Sequence, residues 1–156
     1  MAAFVFNIGK GRVIELYSNV ENNNPANCAI VLVVLETAGL EADAVLKDAD
    51  SVAALVAGTT SEQTVMGRKT LTDADLAALP APDDSNDRYD VSLPTTTWVA
   101  PDGNPVSKLA VCYDPDTTAG TDADLIPLVL MDFVHDPNGV SNIQLTGGVF
   151  FRASDG

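Results

Sequence analysis

The sequence predicts a mainly β domain, an antiparallel β-sandwich or partly closed barrel with one or two short helices; α+β is the open alternative. Two observations lead there. Short runs rich in β-branched and aromatic residues recur through the chain, separated by clusters of Gly, Pro, Asn and Asp about every ten residues. One run, Cys28 to Leu35, is continuously apolar yet only of strand length, which suits a central strand buried on both faces. The 156 residues are 46% hydrophobic, enough for one domain (1–156) with a real core and too many for wholesale disorder. No linker, internal repeat or low-complexity tract divides the chain.

In order, Phe4-Val5-Phe6-Asn7-Ile8 alternates and reads as a strand ended by Gly9-Lys10-Gly11. Val13, Leu16, Tyr17 and Val20 follow helical spacing, so Arg12 to Val20 reads as a short helix; a strand over Val13 to Tyr17 is the near competitor. Asn22-Asn23-Asn24-Pro25 is a turn, since Asn tolerates left-handed backbone and Pro fixes φ. Ala29 to Leu35 is the central strand. Asp48 and Asp50 are the candidate N-caps of a second helix carrying Val52, Leu55 and Val56, with Gly58 as its stop. Thr64 to Thr72 reads as a strand. Leu71 to Leu79 is ambiguous: Asp73 is placed to cap a helical turn, but Pro80 and Pro82 end the stretch. Arg88 to Leu93 and Thr95 to Val99 are strands. Pro101-Asp102-Gly103-Asn104-Pro105 is the strongest turn signal. Lys108 to Tyr113, Leu125 to Val134 and Asn142 to Arg152 complete a β-dominated C-terminal half.

Charge and cysteine usage limit the function classes. With 22 acidic against 8 basic residues the formal charge is −14, which repels nucleic-acid phosphates and anionic membrane surfaces. Neither nucleic acid nor a membrane is therefore an expected partner. No apolar run approaches the roughly 20 residues of a membrane helix, and the first residues lack the features of a secretory signal, so a soluble chain made in the cytoplasm is expected. Cys28 and Cys112 each lie in an apolar run and read as reduced core thiols, with a disulfide as the alternative.

Catalytic patterns are scarce. His135, the single histidine, lies between Asp132 and Asp136 and reads first as a turn residue, second as a base or pH switch. No nucleophile elbow, phosphate-binding loop or zinc-protease motif occurs, and no cofactor is expected. Asp114, Asp116 and Thr118 match the first alternating ligand positions of a calcium loop. Ala119 then stands where glycine is needed and Leu125 where the bidentate glutamate belongs. Asp114, Asp116, Asp122 and Asp124 are thus weak metal candidates, against a loop whose side chains satisfy its own backbone. Trp98, Tyr89 and Phe151 are the candidate interface residues; for Trp98 an ordinary core position is the competing reading. In Phe150-Phe151, one ring should face inward and the other outward.

Several segments together are similar to a known family: Phe4 to Val13, Thr37 to Leu46, Gly67 to Leu71, Asn86 to Val91 and Cys112 to Pro127. They resemble small virion proteins of siphophages infecting actinobacteria, of the minor capsid or head decoration type, over about Phe4 to Ser154. The Leu71 to Pro82 stretch departs from that pattern by being richer in Ala and Pro. The resemblance implies a non-enzymatic virion subunit on the capsid surface, with the major capsid protein and further copies of itself as partners. A tail or head–tail connector protein is the alternative, and a phage enzyme or a calcium-dependent glycan-binding module is the third reading.

Overall fold

The computed structural model describes residues 3–154. Among them the chain is mainly β, and its largest unit is a five-stranded antiparallel sheet. The strands run β1 (Phe4–Val5), β7 (Ile126–His135), β6 (Val106–Asp114), β2 (Ala29–Glu36) and β3 (Lys69–Leu71) in spatial order. Two separate antiparallel ribbons complete the strands: β4 (Arg88–Leu93) with β9 (Gly148–Ser154), and β5 (Thr96–Val99) with β8 (Asn142–Leu145). None of these sheets closes into a barrel.

The central strand is the one its composition predicts. Seven consecutive residues of β2, Ala29 to Leu35, are buried, because the sheet is covered on both faces. Side chains alternate between those faces. Ile30, Leu32 and Val34 join a cluster with Val111, Leu128 and Met131. That cluster is closed by α1 (Val13–Glu21) and by Val91, Leu93, Trp98, Ile143 and Phe150 of the ribbons. Val31, Val33 and Leu35 face the other way. They pack with Ala110, Cys112 and Leu130 against Phe6, Leu46, Val52 and Leu55, where α2 (Asp43–Leu46) and α3 (Val52–Leu55) lie.

Helix α1 buries Val13, Leu16, Tyr17 and Val20, the four residues whose spacing predicts it, and the competing strand is not formed. The Tyr17 hydroxyl donates to the carbonyls of Ala77 and Ser92, at 3.0 and 3.1 Å, tying the helix to the 71–82 stretch and to β4.

Other elements differ from expectation. Among the described residues there are three helices rather than one or two, and α3 is a single turn capped by Ser51, whose Oγ accepts from Ala54 N at 3.1 Å. Neither Asp48 nor Asp50 caps it; Asp48 accepts instead from Asn7 Nδ2. The strand expected over Phe4 to Ile8 stops at Val5. Phe6 then starts a turn, with Gly9 N and Lys10 N both donating to Phe6 O. The strand expected over Thr64 to Thr72 is reduced to β3. In the 71–79 stretch Asp75, not Asp73, organises a turn by accepting from Thr72 N and Oγ1. The single strand expected over Asn142 to Arg152 is two, β8 and β9, pairing with different partners.

Among the described residues no helix is long and apolar enough to cross a membrane. Both cysteines are free and buried, and they lie on opposite faces of the sheet, Cys28 in one cluster and Cys112 in the other. Complete burial pushes the Cys112 thiol well above its ordinary value, which keeps it protonated and inert.

Candidate functional site

The loop from Asp114 to Asp124 joins β6 to β7 and carries the weak metal candidates. Asp114 Oδ1 accepts from Asp116 N at 3.0 Å. Asp116 Oδ1 accepts from both Thr118 N and Thr118 Oγ1, at 3.0 and 2.6 Å, which holds its carboxyl below the usual range. Asp124 Oδ2 accepts from Thr121 N and Oγ1, at 2.8 and 3.1 Å. These are Asx and Thr turns in which carboxylates satisfy the loop's own donors. Among the described residues no group of three or more His, Cys, Asp or Glu side chains is placed to hold a metal ion.

Asp122 has a different role. Arg68, just before β3, lies between two carboxylates. Its Nε and Nη2 donate to Glu62 at 2.7 and 2.6 Å, and its Nη1 and Nη2 to Asp122 at 2.7 and 3.0 Å. This doubly bidentate geometry raises the Arg68 pKa and lowers that of Asp122, the hydrogen bonds being the main cause of each shift. A cavity of about 260 Å3 opens beside it, lined by Arg68, Thr70, Asp114, Thr121 and Asp122 among others. Its charged floor is already paired. Glu62 and Asp122 are 60 residues apart and no local pattern links them, so the sequence carries no signal for the trio.

Trp98 is 2% exposed. Its ring packs on Phe133 with centroids 5.4 Å apart, and its Nε1 donates to Gly67 O at 3.0 Å. Lys69 Nζ lies 5.7 Å from the ring centroid. The tryptophan is thus a core residue of the single chain, and its polar edge is satisfied internally.

Tyr89 and Phe151 are half-buried on the β4–β9 ribbon and pack at the margin of the larger cluster; Phe150 is the inward ring. Asp90 and Arg152 are direct cross-strand partners, and Arg152 Nε and Nη2 reach the Asp90 carboxylate at 2.6 and 2.9 Å. That contact lowers the Asp90 pKa and raises that of Arg152. Beside Tyr89 is an open cavity of about 480 Å3, walled by Ile14, Pro82, Asp84, Asp87 and Ala153 among others. Asp84 and Asp87 are exposed at its rim.

His135 ends β7 with its ring against Phe133, centroids 4.5 Å apart. Asp132 accepts from Lys108 Nζ at 2.8 Å, and Asp136 accepts from the backbone and side-chain amides of Asn138 at 3.1 and 3.2 Å.

Five of the eight basic residues, Arg12, Arg68, Arg88, Lys108 and Arg152, are in ion pairs with the chain's own carboxylates. The unbalanced surface charge is therefore overwhelmingly negative. Every buried side-chain polar atom among the described residues has a hydrogen-bond partner. No protein-family model, curated protein or solved structure matches this chain.

Proposed function

We propose that this chain is a structural subunit of a tailed-phage virion. In this reading it is a minor capsid or decoration protein that binds the major capsid protein and strengthens contacts between coat subunits. It acts as a packed, acidic module with no bond-making step of its own. The observation that carries the reading is the charge imbalance: acidic residues outnumber basic ones 22 to 8 and most of the basic side chains are held by internal carboxylates, so the exterior is acidic and suited to a basic patch on a partner. The sequence resemblance over Phe4 to Ser154 supports the same role.

Contacts made only in the assembled shell stabilise that shell by mass action. Symmetric self-association would let one patch serve several neighbouring sites. Electrostatic docking of this kind weakens with salt, because charges separated by more than about 8 Å are screened at physiological ionic strength. Adding purified protein to shells that lack it, and sedimenting the mixture at rising salt, tests the reading. Saturable binding that declines with salt is expected. Absence of binding at any salt overturns the proposal, as does a stable enzyme turnover by the isolated chain.

A further inference from the structure

The turn between β7 and β8 holds a site of spontaneous covalent modification: we propose that Asn138, followed by Gly139, deamidates in the folded protein to aspartate and isoaspartate. Asn138 is the one asparagine in the chain that precedes glycine. Both residues are exposed and form a turn. Gly139 has φ +75°, and a Cβ built on it would meet nothing within 4 Å, so the space on that side of the backbone is open.

The chemistry requires only water. The Gly139 backbone nitrogen, losing its proton to solvent base, attacks Asn138 Cγ. The new N–Cγ bond closes a five-membered imide as the Cγ–Nδ2 bond breaks, and Nδ2 leaves as ammonia after taking up a proton. Water then opens the imide at either carbonyl. One route gives aspartate; the other gives isoaspartate, with the main chain running through the side-chain carbon. The balance is one asparagine amide plus water to one carboxylate plus ammonium.

Glycine matters because a side chain at 139 would crowd the attacking nitrogen. The Asp102-Gly103 bend, which could close the same imide by loss of water, is protected. Gly103 N donates to Asp102 Oδ1 at 2.8 Å, and Gly103 is wedged against the buried Gln63 amide, 2.6 Å from where a Cβ would lie. Among the described residues, Asp136 Oδ1 holds Asn138 through a pair of surface hydrogen bonds at 3.1 and 3.2 Å.

Conversion changes this corner in two ways. A carboxylate at 138 would face the Asp136 carboxylate, so the side-chain bond between them is lost and one negative charge is added. Isoaspartate also lengthens the backbone just ahead of β8, where Ala100 N donates to Ser141 O and Asn142 pairs with Val99. The site would therefore record the age of the protein and loosen the start of the β5–β8 ribbon.

The test incubates the intact chain at mildly alkaline pH, with and without urea, and maps peptides by mass. Isoaspartate is read by enzymatic methyl transfer. The expected result is that Asn138 converts ahead of every other asparagine, at a native rate within about tenfold of the unfolded chain's, because surface turns lie at the low end of local opening energies. Gly139→Ala should suppress the reaction, and Asn138→Gln, which leaves the glycine backbone intact, should abolish it without changing the melting transition. An intact Asn138 in the native chain under conditions where the urea-treated chain converts overturns the proposal. So does faster conversion at Asn22, Asn23 or Asn24.

Discussion

The five-stranded sheet and the two ribbons are built from similar residues but are covered differently. Strands β2, β6 and β7 lie between two layers: ribbons and α1 on one face, α2 and α3 on the other. Their middles are buried residue after residue, as in Leu109 to Tyr113 and Pro127 to Met131. The ribbons have one face on the core and the other toward solvent. Burial alternates along β5, where Thr96 and Trp98 are buried while Thr97 and Val99 are not, and β8 buries only Ile143. A strand's pattern thus reports how many layers cover it. The sheet is the centre of the packed core. The ribbons depend on it through Trp98, Val91, Ile143 and Phe150.

That difference sets an order of mutational effects. The largest belongs to the sheet. Leu32→Asp would bury a carboxylate at a position with no exposure, costing about 4 kcal/mol or more. The variant should lose its cooperative urea transition; a normal transition would mean that β2 is not central.

Next comes the ribbon anchor. Trp98→Ala should cost about 3–5 kcal/mol in urea unfolding of the isolated chain. Trp98→Phe keeps much of the packing against Phe133 and loses the bond to Gly67 O, so it should cost about 1–2 kcal/mol. Unchanged stability in Trp98→Ala would detach the ribbons from the core.

The Arg68 trio should matter less than the whole Trp98 ring, because Arg68 is 28% and Asp122 45% exposed. Arg68→Met should cost about 2 kcal/mol, below the range for a fully buried pair. It should also alter the acid response. Asp122 has a folded pKa below its ordinary 3.8, so its contribution is complete above that value and is lost as pH falls through the lower folded one. The native chain should therefore lose stability more steeply below pH 3.8 than Arg68→Met does, as followed by melting temperature against pH.

The smallest expected effect is that of calcium. The Asp114, Asp116 and Asp124 carboxylates serve the loop's own donors, so adding calcium or a chelator should leave the melting temperature unchanged. A clear rise with calcium would restore the loop as a metal site.

The same contrast explains what was legible in the sequence. The continuous run of β2 and the spacing of Val13, Leu16, Tyr17 and Val20 are local signals with one physical meaning each. Strand β4 matches its expected bounds, and β5, β6 and β7 lie within two residues of theirs. The failures lie where a distant contact overrides a local pattern. Thr64 to Thr72 is β-prone, but buried Gln63 bends its start. Gln63 Oε1 accepts from Val65 N, its Nε2 donates to Asn104 O, and Gly67 follows at φ +74°. Phe4 to Ile8 alternates, yet the chain turns where Gly9 comes up against the Leu128 backbone. The break between β8 and β9 had a visible signal in Gly147-Gly148. A Cβ at Gly147 would fall 2.7 Å from Thr95 N, so the two ribbons meet there closely.

The candidate site was less legible than the fold. Alternating aspartates suggest calcium, but Thr118 and Thr121 beside them provide the donors that occupy Asp116 and Asp124. The Arg68 trio depends on residues brought together only by the sheet. Trp98, a residue type shared by interfaces and cores, takes its role from Phe133 and Gly67.

The most direct measurement is the copy number of this chain in purified phage particles after heads and tails are separated. For a decoration protein, many copies in fixed ratio to the major capsid protein are expected in the head fraction. A few copies confined to tails would contradict the decoration role, and complete absence from particles would contradict the virion role altogether.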